Sequence, residues 1–433
     1  MLRRAWTVSS DGTRRGGRES MDINSGDTAW VLASAALVLF MTPGLALFYG
    51  GMVRAKNVLG MLMANFFTIT IVTIIWVLVG YTLAFAPDAW GGLIGKLDFI
   101  GLKDVRGNSL FPGTHIPDIV FMCFQMMFAI ITPALITGAI AERMKFSAWV
   151  VFCILWSLIV YLPVAHWAFA SDGWIYAKLG ARDFAGGLVV HINAGAAALA
   201  CVFVLGPRRG FRREVIRPHN LTLTLLGAGI LWFGWFGFNA GSALGANRLA
   251  GSAFAATQIA AAVGAGAWIA MEWWRVGKPT TLGAASGAVA GLVAITPAAG
   301  FVSPLPAMAI GAVAGAVCFL AVGLKFRFNF DDSLDVVGVH LVGGILGSVL
   351  LGVFAERAIN PDQLSTNGLL FGGAAFFGKQ VIAVLAVLAF SFVVSFILAK
   401  AVDMIMGLRV PDEVETSGLD ISLHEERAYV FAE

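Results

Sequence analysis

Two histidines stand inside apolar segments that are long enough to cross a membrane. His191 follows Asp183 by eight residues, and His340 follows Asp332 by the same number. An ionisable side chain inside a bilayer is costly, so such a residue is a functional candidate by default. Two of them at matching offsets, half a protein apart, predict one site built by two related halves of the chain.

The composition excludes a soluble protein. The 433 residues are 58% hydrophobic and 13% charged, which indicates a polytopic membrane protein. The net charge of +3 comes from cations in short loops, so there is no basic face for a nucleic acid. We interpret the four cysteines as small buried hydrophobic residues, because they lie in apolar runs without a CxxC pair. We expect no metal site and no cofactor.

Eleven apolar segments predict an all-α polytopic membrane protein with eleven transmembrane helices. They cover residues 29–50, 60–86, 116–139, 147–168, 185–205, 221–240, 251–272, 281–297, 303–324, 335–354 and 373–405. A polar tail, residues 1–28, precedes this 29–405 domain, and Met21 is an alternative start. Residues 406–433 form a polar C-terminal tail.

The charges of the loops predict the orientation. Cations concentrate at 54–56, 143–145, 208–217, 275–278 and 325–327, so these loops are expected in the cytoplasm. The N-terminus then lies outside and the C-terminus inside. Helices one to five (about 29–205) and six to ten (about 221–354) form repeats with an odd number of spans, which makes them inverted. Inverted repeats that share a midplane site are a common transporter plan.

Several short stretches together make the chain similar to the ammonium transporter (Amt/Mep/Rh) family, on its bacterial Amt side. They are PGLALFYGG at 43–51, AER at 141–143, DFAGG at 183–187, VHIN at 190–193, GWFGFNAGS at 234–242, GKP at 277–279, TPA at 296–298, DVVGVH at 335–340 and GLRVP at 407–411. The resemblance extends from about residue 27 to the end. It implies an eleven-helix bundle with a pseudo-two-fold axis, assembled as a homotrimer in the plasma (inner) membrane.

The resemblance also implies a function. Ammonium is recruited at an outer aromatic cage and loses its proton, and ammonia passes through a hydrophobic pore lined by twin histidines. Separate passage of the proton makes the process electrogenic. A PII-type nitrogen regulatory protein is an expected partner at the cytoplasmic face, and the C-terminal tail is expected to pack across neighbouring subunits.

The family's functional positions fall on specific residues of this chain. The pore residues are His191, His340, Trp235 and Phe238, the gate residues are Phe124 and Phe128, and the ammonium-recruitment residues are Phe128, Phe169, Ser242 and Asp183. Phe169 stands where the family usually has tryptophan, so Trp167 or Trp174 could lean in. Asp183 is expected first to cap its helix and secondarily to contact the ion.

Other interpretations remain open at this point. Each histidine could bond within its own helix, and the aromatic residues could be plain core. The chain could be an ammonium sensor or transceptor, or an Rh-like neutral gas channel. No Ser-His-Asp spacing, phosphate loop or dinucleotide motif supports an enzyme. Glu142 and Arg143 are expected in solvated or interface ion pairs, and the arginines at 208–217 are expected to face anionic lipid or a regulator.

Overall fold

Helices make up the computed structural model, which describes residues 22–107 and 109–429. Residues 1–21, including the alternative start at Met21, lie outside the described part. The membrane helices are α1 (Ser25–Met52), α2 (Val58–Ile75, continued by Trp76–Gly80 and Tyr81–Phe85), α3 (Asp118–Ile140), α4 (Phe146–Trp156, continued by Ser157–Tyr161 and Leu162–Phe169), α5 (Gly187–Ile192 and Asn193–Leu205), α6 (Leu221–Ala240), α7 (Arg248–Val276), α8 (Thr281–Ile295), α9 (Pro304–Ala321), α10 (Val337–Leu341 and Val342–Phe354) and α11 (Ala374–Met406). Two short helices, α12 (Asp412–Ser417) and α13 (Leu419–His424), belong to the tail.

The helix count agrees with the sequence. Ten described helices are long and apolar enough to span a membrane, and α8 is a shorter apolar helix. Thr280 caps α8, because its hydroxyl accepts the Gly283 amide at 2.8 Å. Most residues of α8 are buried, so this helix is enclosed by protein rather than by lipid, and its shorter length is tolerated.

The two halves of the bundle meet through equivalent elements. Helix α1 packs along α6, and α5 crosses α10. Aspartates precede α5 and α10 in the same way: the Asp183 carboxylate accepts backbone amides of α5, and the Asp332 carboxylate accepts the amides of Val336 and Val337 at 3.1 and 2.7 Å. The matching Asp-to-His offsets thus correspond to equivalent aspartate caps ahead of the two histidine-bearing helices.

The ion pairs of Glu142 are buried, which corrects the expectation of solvated charges. Glu142 accepts hydrogen bonds from Arg54, Asn57 and Arg208, each at 2.8–3.0 Å. Arg208 also pairs with Asp331 at 2.8 Å. Arg143, fully buried, donates to Ser333 and to the Asp331 carbonyl. Because the network joins loops of both halves of the chain, it fastens the two halves together at one end of the bundle.

Charge balance determines the ionisation of this network. Burial raises the pKa of Glu142, but the adjacent guanidinium groups of Arg208 and Arg54 outweigh it and lower the pKa to about 2. Arg208 is therefore paired with two carboxylates and does not face lipid. This differs from the expectation that the arginines at 208–217 face anionic lipid or a regulator. Arg209 likewise pairs with Asp412 of the tail at 2.9 Å.

The tail is anchored to the end of its own bundle at which α2 begins. Asp420 accepts the amides of Leu59 and Gly60 at 3.0 and 2.8 Å, at the start of α2. Glu415 accepts the Arg209 amide at 2.6 Å and pairs with Arg409 at 2.7 Å. These contacts lie within one subunit, so the tail is ordered by its own chain.

Candidate functional site

The two histidines face each other at the centre of the bundle. Their Nδ1 atoms lie 3.3 Å apart, and the centroids of their rings lie 5.4 Å apart. His191 is 1% and His340 3% exposed. One ring must donate and the other accept, so the two tautomers are linked. If one ring carries its proton on Nδ1, the other carries it on Nε2. The pair therefore presents one donor and one acceptor Nε2.

The backbone is unusual where it carries both rings. His191 lies in the segment Gly187–Ile192 and His340 in Val337–Leu341, and each segment is wound as a π-helix. Such turns widen a helix locally and occur frequently at functional sites. No feature of the hydropathy pattern predicts them.

Glycines allow α5 and α10 to cross close to the rings. A Cβ at Gly195 would lie 2.6 Å from the Leu341 backbone nitrogen, and a Cβ at Gly344 would lie 2.9 Å from the Cβ of His191. A side chain at either position would push the helices apart. The close crossing is therefore required for the Nδ1–Nδ1 contact. The sequence pattern does not predict this role of the two glycines.

Apolar side chains enclose a cavity of about 10 Å³ beside the histidines. Its lining includes Met41, Leu45, Ile131, Leu231, Val289, Trp235, Phe238 and both histidines. The volume is close to what one water-sized molecule requires. His191 Nε2 has no hydrogen-bond partner among the described residues, and a buried polar atom without a partner is costly. The cavity thus combines an apolar wall with one unsatisfied polar atom.

The aromatic pore residues are held in place. Trp235 stacks 5.6 Å from His191, and Phe238 lies 6.1 Å from it. The Trp235 indole donates to the Thr296 hydroxyl at 2.9 Å, and that hydroxyl donates to the Leu292 carbonyl at 2.7 Å. Thr296 thus bonds its own helix and also fixes the indole against the histidine pair.

The predicted gate and recruitment rings form one contiguous series. Phe124 and Phe128 lie one turn apart on α3 with ring centroids 4.9 Å apart. Phe128 lies 4.3 Å from Phe238 and 6.5 Å from Phe169. Phe124 and Phe128 are fully buried, while Phe169 is half-buried. The series therefore leads from a more exposed ring to the cavity at the histidines.

Two side chains near this series, Ser242 and Trp167, donate hydrogen bonds to backbone carbonyls. The Ser242 hydroxyl donates to the Phe238 carbonyl at 2.8 Å, and its oxygen keeps lone pairs for a further donor. The Trp167 indole donates to the Leu93 carbonyl at 2.9 Å, and its ring packs on Trp174 and Phe390. Trp167 therefore does not substitute for the missing tryptophan, and neither indole is in ring contact with Phe128.

Asp183 is a capping residue. Its two carboxylate oxygens accept four backbone amides, from residues Gly186, Gly187, Leu188 and Val189, at 2.7–3.1 Å. Both oxygens are occupied by these bonds, so we assign Asp183 to the start of α5 and not to the recruitment rings. Asp183 influences the position of His191 through the backbone of α5, which carries the His191 ring.

Comparison with known proteins agrees with this geometry. The model of the Ammonium Transporter Family matches residues 29–429. The chain is similar to an ammonium transporter of Mycobacterium tuberculosis H37Rv, with 50% identity over 94% of this chain and 91% of that protein. It is also similar to one of Bacillus subtilis 168, with 50% identity over 93% and 98%.

Solved structures share the fold. The crystal structure of Saccharomyces cerevisiae Mep2 has a TM-score of 0.84 and 38% identity, with 91% of this chain and 92% of that chain covered. A structure described as a sensor Amt protein has a TM-score of 0.84 and 29% identity, with coverage of 92% and 98%. The likeness thus extends over nearly the whole length of each.

Proposed function

Because this chain belongs to the ammonium transporter family, we propose that it recruits ammonium from outside the cell, removes its proton and conducts ammonia to the cytoplasm. It is a multi-pass membrane protein of a transporter family, and its substrate is ammonium. The path, the proton step and the regulation described below are the proposal.

The observation that carries the proposal is the histidine pair beside a narrow, apolar cavity. An unpaired charge in such a low-dielectric wall costs several kcal/mol or more. The apolar lining around His191 and His340 offers no carboxylate to balance an ammonium ion. Neutral ammonia meets no such penalty, and it can donate to the unsatisfied Nε2 of His191. The ion is therefore expected to lose its proton before this point.

Recruitment takes place at the outer end of the aromatic series. A cation over aromatic faces gains about 0.5–2 kcal/mol, depending on desolvation. Phe128 and Phe169, at 6.5 Å and nearly perpendicular, offer two such faces, and Ser242 oxygen offers an acceptor. Phe124 and Phe128 then form the gate, because both rings are fully buried and occupy the path that leads to Phe238.

The proton crosses by a separate route through the linked histidines. A proton taken up at the acceptor Nε2 of one ring allows its Nδ1 proton to move across the 3.3 Å contact. The second ring then releases the proton from its own Nε2, and the pair ends in the opposite tautomer. Such a relay moves charge without placing ammonium in the cavity, which makes the transport electrogenic.

We place the protein in the plasma membrane as a homotrimer with the N-terminus outside. The clustering of loop cations with the ordered tail supports a cytoplasmic C-terminus. The face formed by α12, α13 and the 208–217 loop is where a PII-type regulator would bind, because it lies at the cytoplasmic end of the helices.

Currents from reconstituted protein test the proposal. Liposomes on a solid-supported membrane receive an ammonium pulse, and lumenal pH is recorded in parallel. A saturable current supports electrogenic transport. Alkalinisation without current supports a neutral gas channel. Ammonium binding without either signal supports a sensor. This outcome is included because the chain is 29% identical to a structure described as a sensor Amt protein.

A further inference from the structure

Three acceptor atoms converge at the end of the bundle where α4 finishes. The His166 side chain, in the segment Leu162–Phe169, is fully buried, and its Nε2 has no hydrogen-bond partner among the described residues. This nitrogen lies 3.5 Å from Oδ1 of Asp88 and 3.9 Å from Oδ1 of Asp172. Neither the histidine pair of the pore nor the recruitment rings use these three side chains.

The other ring nitrogen of His166 defines what Nε2 offers. Nδ1 lies 2.9 Å from the Ala84 carbonyl oxygen. A carbonyl oxygen only accepts, so Nδ1 carries the proton of the neutral ring and Nε2 presents a lone pair. The two facing carboxylates are acceptors as well. The three atoms therefore match a ligand that supplies donor hydrogens and positive charge.

The protein itself brings no cation to these carboxylates. The Asp88 amide donates to Oδ2 of Asp172 at 2.7 Å, and the Trp90 amide donates to Oδ1 of Asp88 at 3.1 Å. These backbone bonds hold the carboxylates in place without a full charge. In the described part of the chain, no lysine or arginine forms an ion pair with either carboxylate, and Lys178 donates to the Gly91 carbonyl instead.

The cluster is accessible from its carboxylate side. The Asp172 side chain is 44% exposed and the Asp88 side chain 22%, while His166 lies beneath them with no exposed surface. A small ligand can enter past Asp172, whose partly exposed side chain is free to turn and widen the space. It then meets the Nε2 lone pair at the buried end.

The class of ligand follows from this set of acceptors. A water molecule has two donor hydrogens for three acceptors and leaves both negative charges unbalanced. Hard metal cations select oxygen ligands rather than an imidazole nitrogen. Zinc accepts both kinds of ligand, but no group of three side chains suited to a metal ion occurs within the described ranges. An ammonium ion supplies one positive charge and four N–H donors.

We propose that His166, Asp88 and Asp172 form a second ammonium site, separate from the recruitment rings. The ion donates one hydrogen bond to Nε2 and one to each carboxylate. Phe169 lies three residues after His166 in the same helical segment, and residues at this spacing are neighbours on a helix. The site thus holds ammonium beside the recruitment rings, on the side proposed to face outside. The inference rests on the proposed recruitment role of Phe169.

Solid-state nitrogen NMR on histidine-labelled protein in lipid bilayers tests the site directly. Ammonium chloride is titrated against sodium chloride at constant pH and ionic strength, and His166→Gln assigns the signals. The Nε2 signal of His166 should shift saturably with ammonium and not with sodium, while Nδ1 stays protonated. Exposed His115 is the internal reference and should not respond.

Three NMR results overturn the proposal. The first is an Nε2 signal that does not respond to ammonium, or that responds equally to sodium. The second is a His166 ring that carries protons on both nitrogens throughout the titration. The third is zinc chloride that abolishes the ammonium response at a lower concentration than ammonium itself requires, which would make the cluster a metal site.

A carboxylate variant connects the site to transport. Asp172→Asn keeps the shape of the side chain and removes one charge, so a charge-assisted hydrogen bond is lost. The half-saturating ammonium concentration of the current should rise roughly two- to tenfold, with little change in the maximal current. The NMR titration of this variant should be displaced by a similar factor, which a merely structural effect would not produce. It also assigns the Nε2 signal if His166→Gln does not fold.

Asp104→Asn is the matched control, because Asp104 is an exposed carboxylate in the same loop between α2 and α3. It should keep the wild-type current and the wild-type titration. An unchanged half-saturating concentration in Asp172→Asn, or an equal rise in Asp104→Asn, overturns the proposal. A wild type without saturable current contradicts the proposed function, and the NMR titration still decides ammonium binding at His166. A saturable current without the Nε2 response contradicts this inference alone.

Discussion

The backbone of Leu341 occupies the space that a side chain at Gly195 would need. A Cβ added to Gly195 would lie 2.6 Å from both the nitrogen and the Cβ of Leu341, the residue that follows His340. Helix α5 and helix α10 can approach this closely only because residue 195 has no side chain. The distance between the twin histidines is therefore set by helix packing as much as by the rings themselves.

Gly195→Ala is expected to separate the two helices and weaken the Nδ1–Nδ1 contact. The variant should lose most of the ammonium current and melt at a lower temperature, since overpacking costs about 1–3 kcal/mol. Solid-supported membrane currents and thermal melting in detergent measure the two effects. Gly229→Ala is the matched control, because a Cβ at Gly229 meets nothing within 4 Å. Equal behaviour of the two variants would contradict the packing argument.

Asp183→Asn is expected to lower stability and maximal current together. Asparagine has one acceptor oxygen and places donor hydrogens toward amides that already donate, so part of the four-amide cap is lost. The loss should be about 1–3 kcal/mol for each amide left unpaired. Asp98→Asn, an exposed change, serves as control. A variant of normal stability with only a raised half-saturating ammonium concentration would instead favour direct ion contact.

Phe169→Trp should strengthen recruitment. Tryptophan is the best cation–π partner, and a gain of about 0.5–1 kcal/mol corresponds to a roughly two- to fivefold lower half-saturating concentration. The current at saturating ammonium should change little. Phe233→Trp, on an exposed part of α6, tests for unspecific effects of a larger ring. An unchanged half-saturating concentration in Phe169→Trp would remove Phe169 from the recruitment site.

Glu142→Gln should destabilise the ion-pair network around Arg54 and Arg208 and remove the part of the stability that falls at acid pH. The folded pKa of Glu142, about 2, lies below the ordinary glutamate value of 4.5, so its ionised form adds stability above about pH 4.5. That contribution falls as the pH drops toward 2. At neutral pH the variant should lose about 3–5 kcal/mol, because Arg208 and Arg54 keep their charges without this partner.

Thermal melting at several pH values measures this effect as the difference between wild type and Glu142→Gln. The difference should be largest at neutral pH and shrink below about pH 4.5. Glu413→Gln, an exposed change in the tail, should melt like the wild type throughout. A difference that stays constant down to strongly acid pH would contradict the assignment of charge to Glu142.

Much of the architecture could be predicted because its cause is local. Apolar length determines the membrane helices, and the matching offsets of Asp183 to His191 and Asp332 to His340 reveal the equivalent aspartate caps. The residues predicted for pore and gate come together because they follow helical spacing on a few helices. Ring contacts from Phe169 to His340 join these positions into one series.

What could not be predicted depends on contacts between distant segments. The burial of Glu142 requires Arg208, which lies 66 residues away, and hydropathy treats both as surface charges. The π-helical turns at the histidines arise from packing that no periodicity encodes. Trp167 could be assigned to the cage by proximity in sequence, yet its indole bonds the Leu93 carbonyl in the loop between α2 and α3.

The central claim is that His191 and His340 form the wall along which ammonia and its proton are separated. The most direct measurement is the ammonium-evoked and potassium-evoked current of the double variant His191→Leu and His340→Leu, with His115→Gln as control. The account predicts that the ammonium current disappears or that potassium is carried as well, while the control stays selective. A double variant with the amplitude and selectivity of the wild type would contradict it.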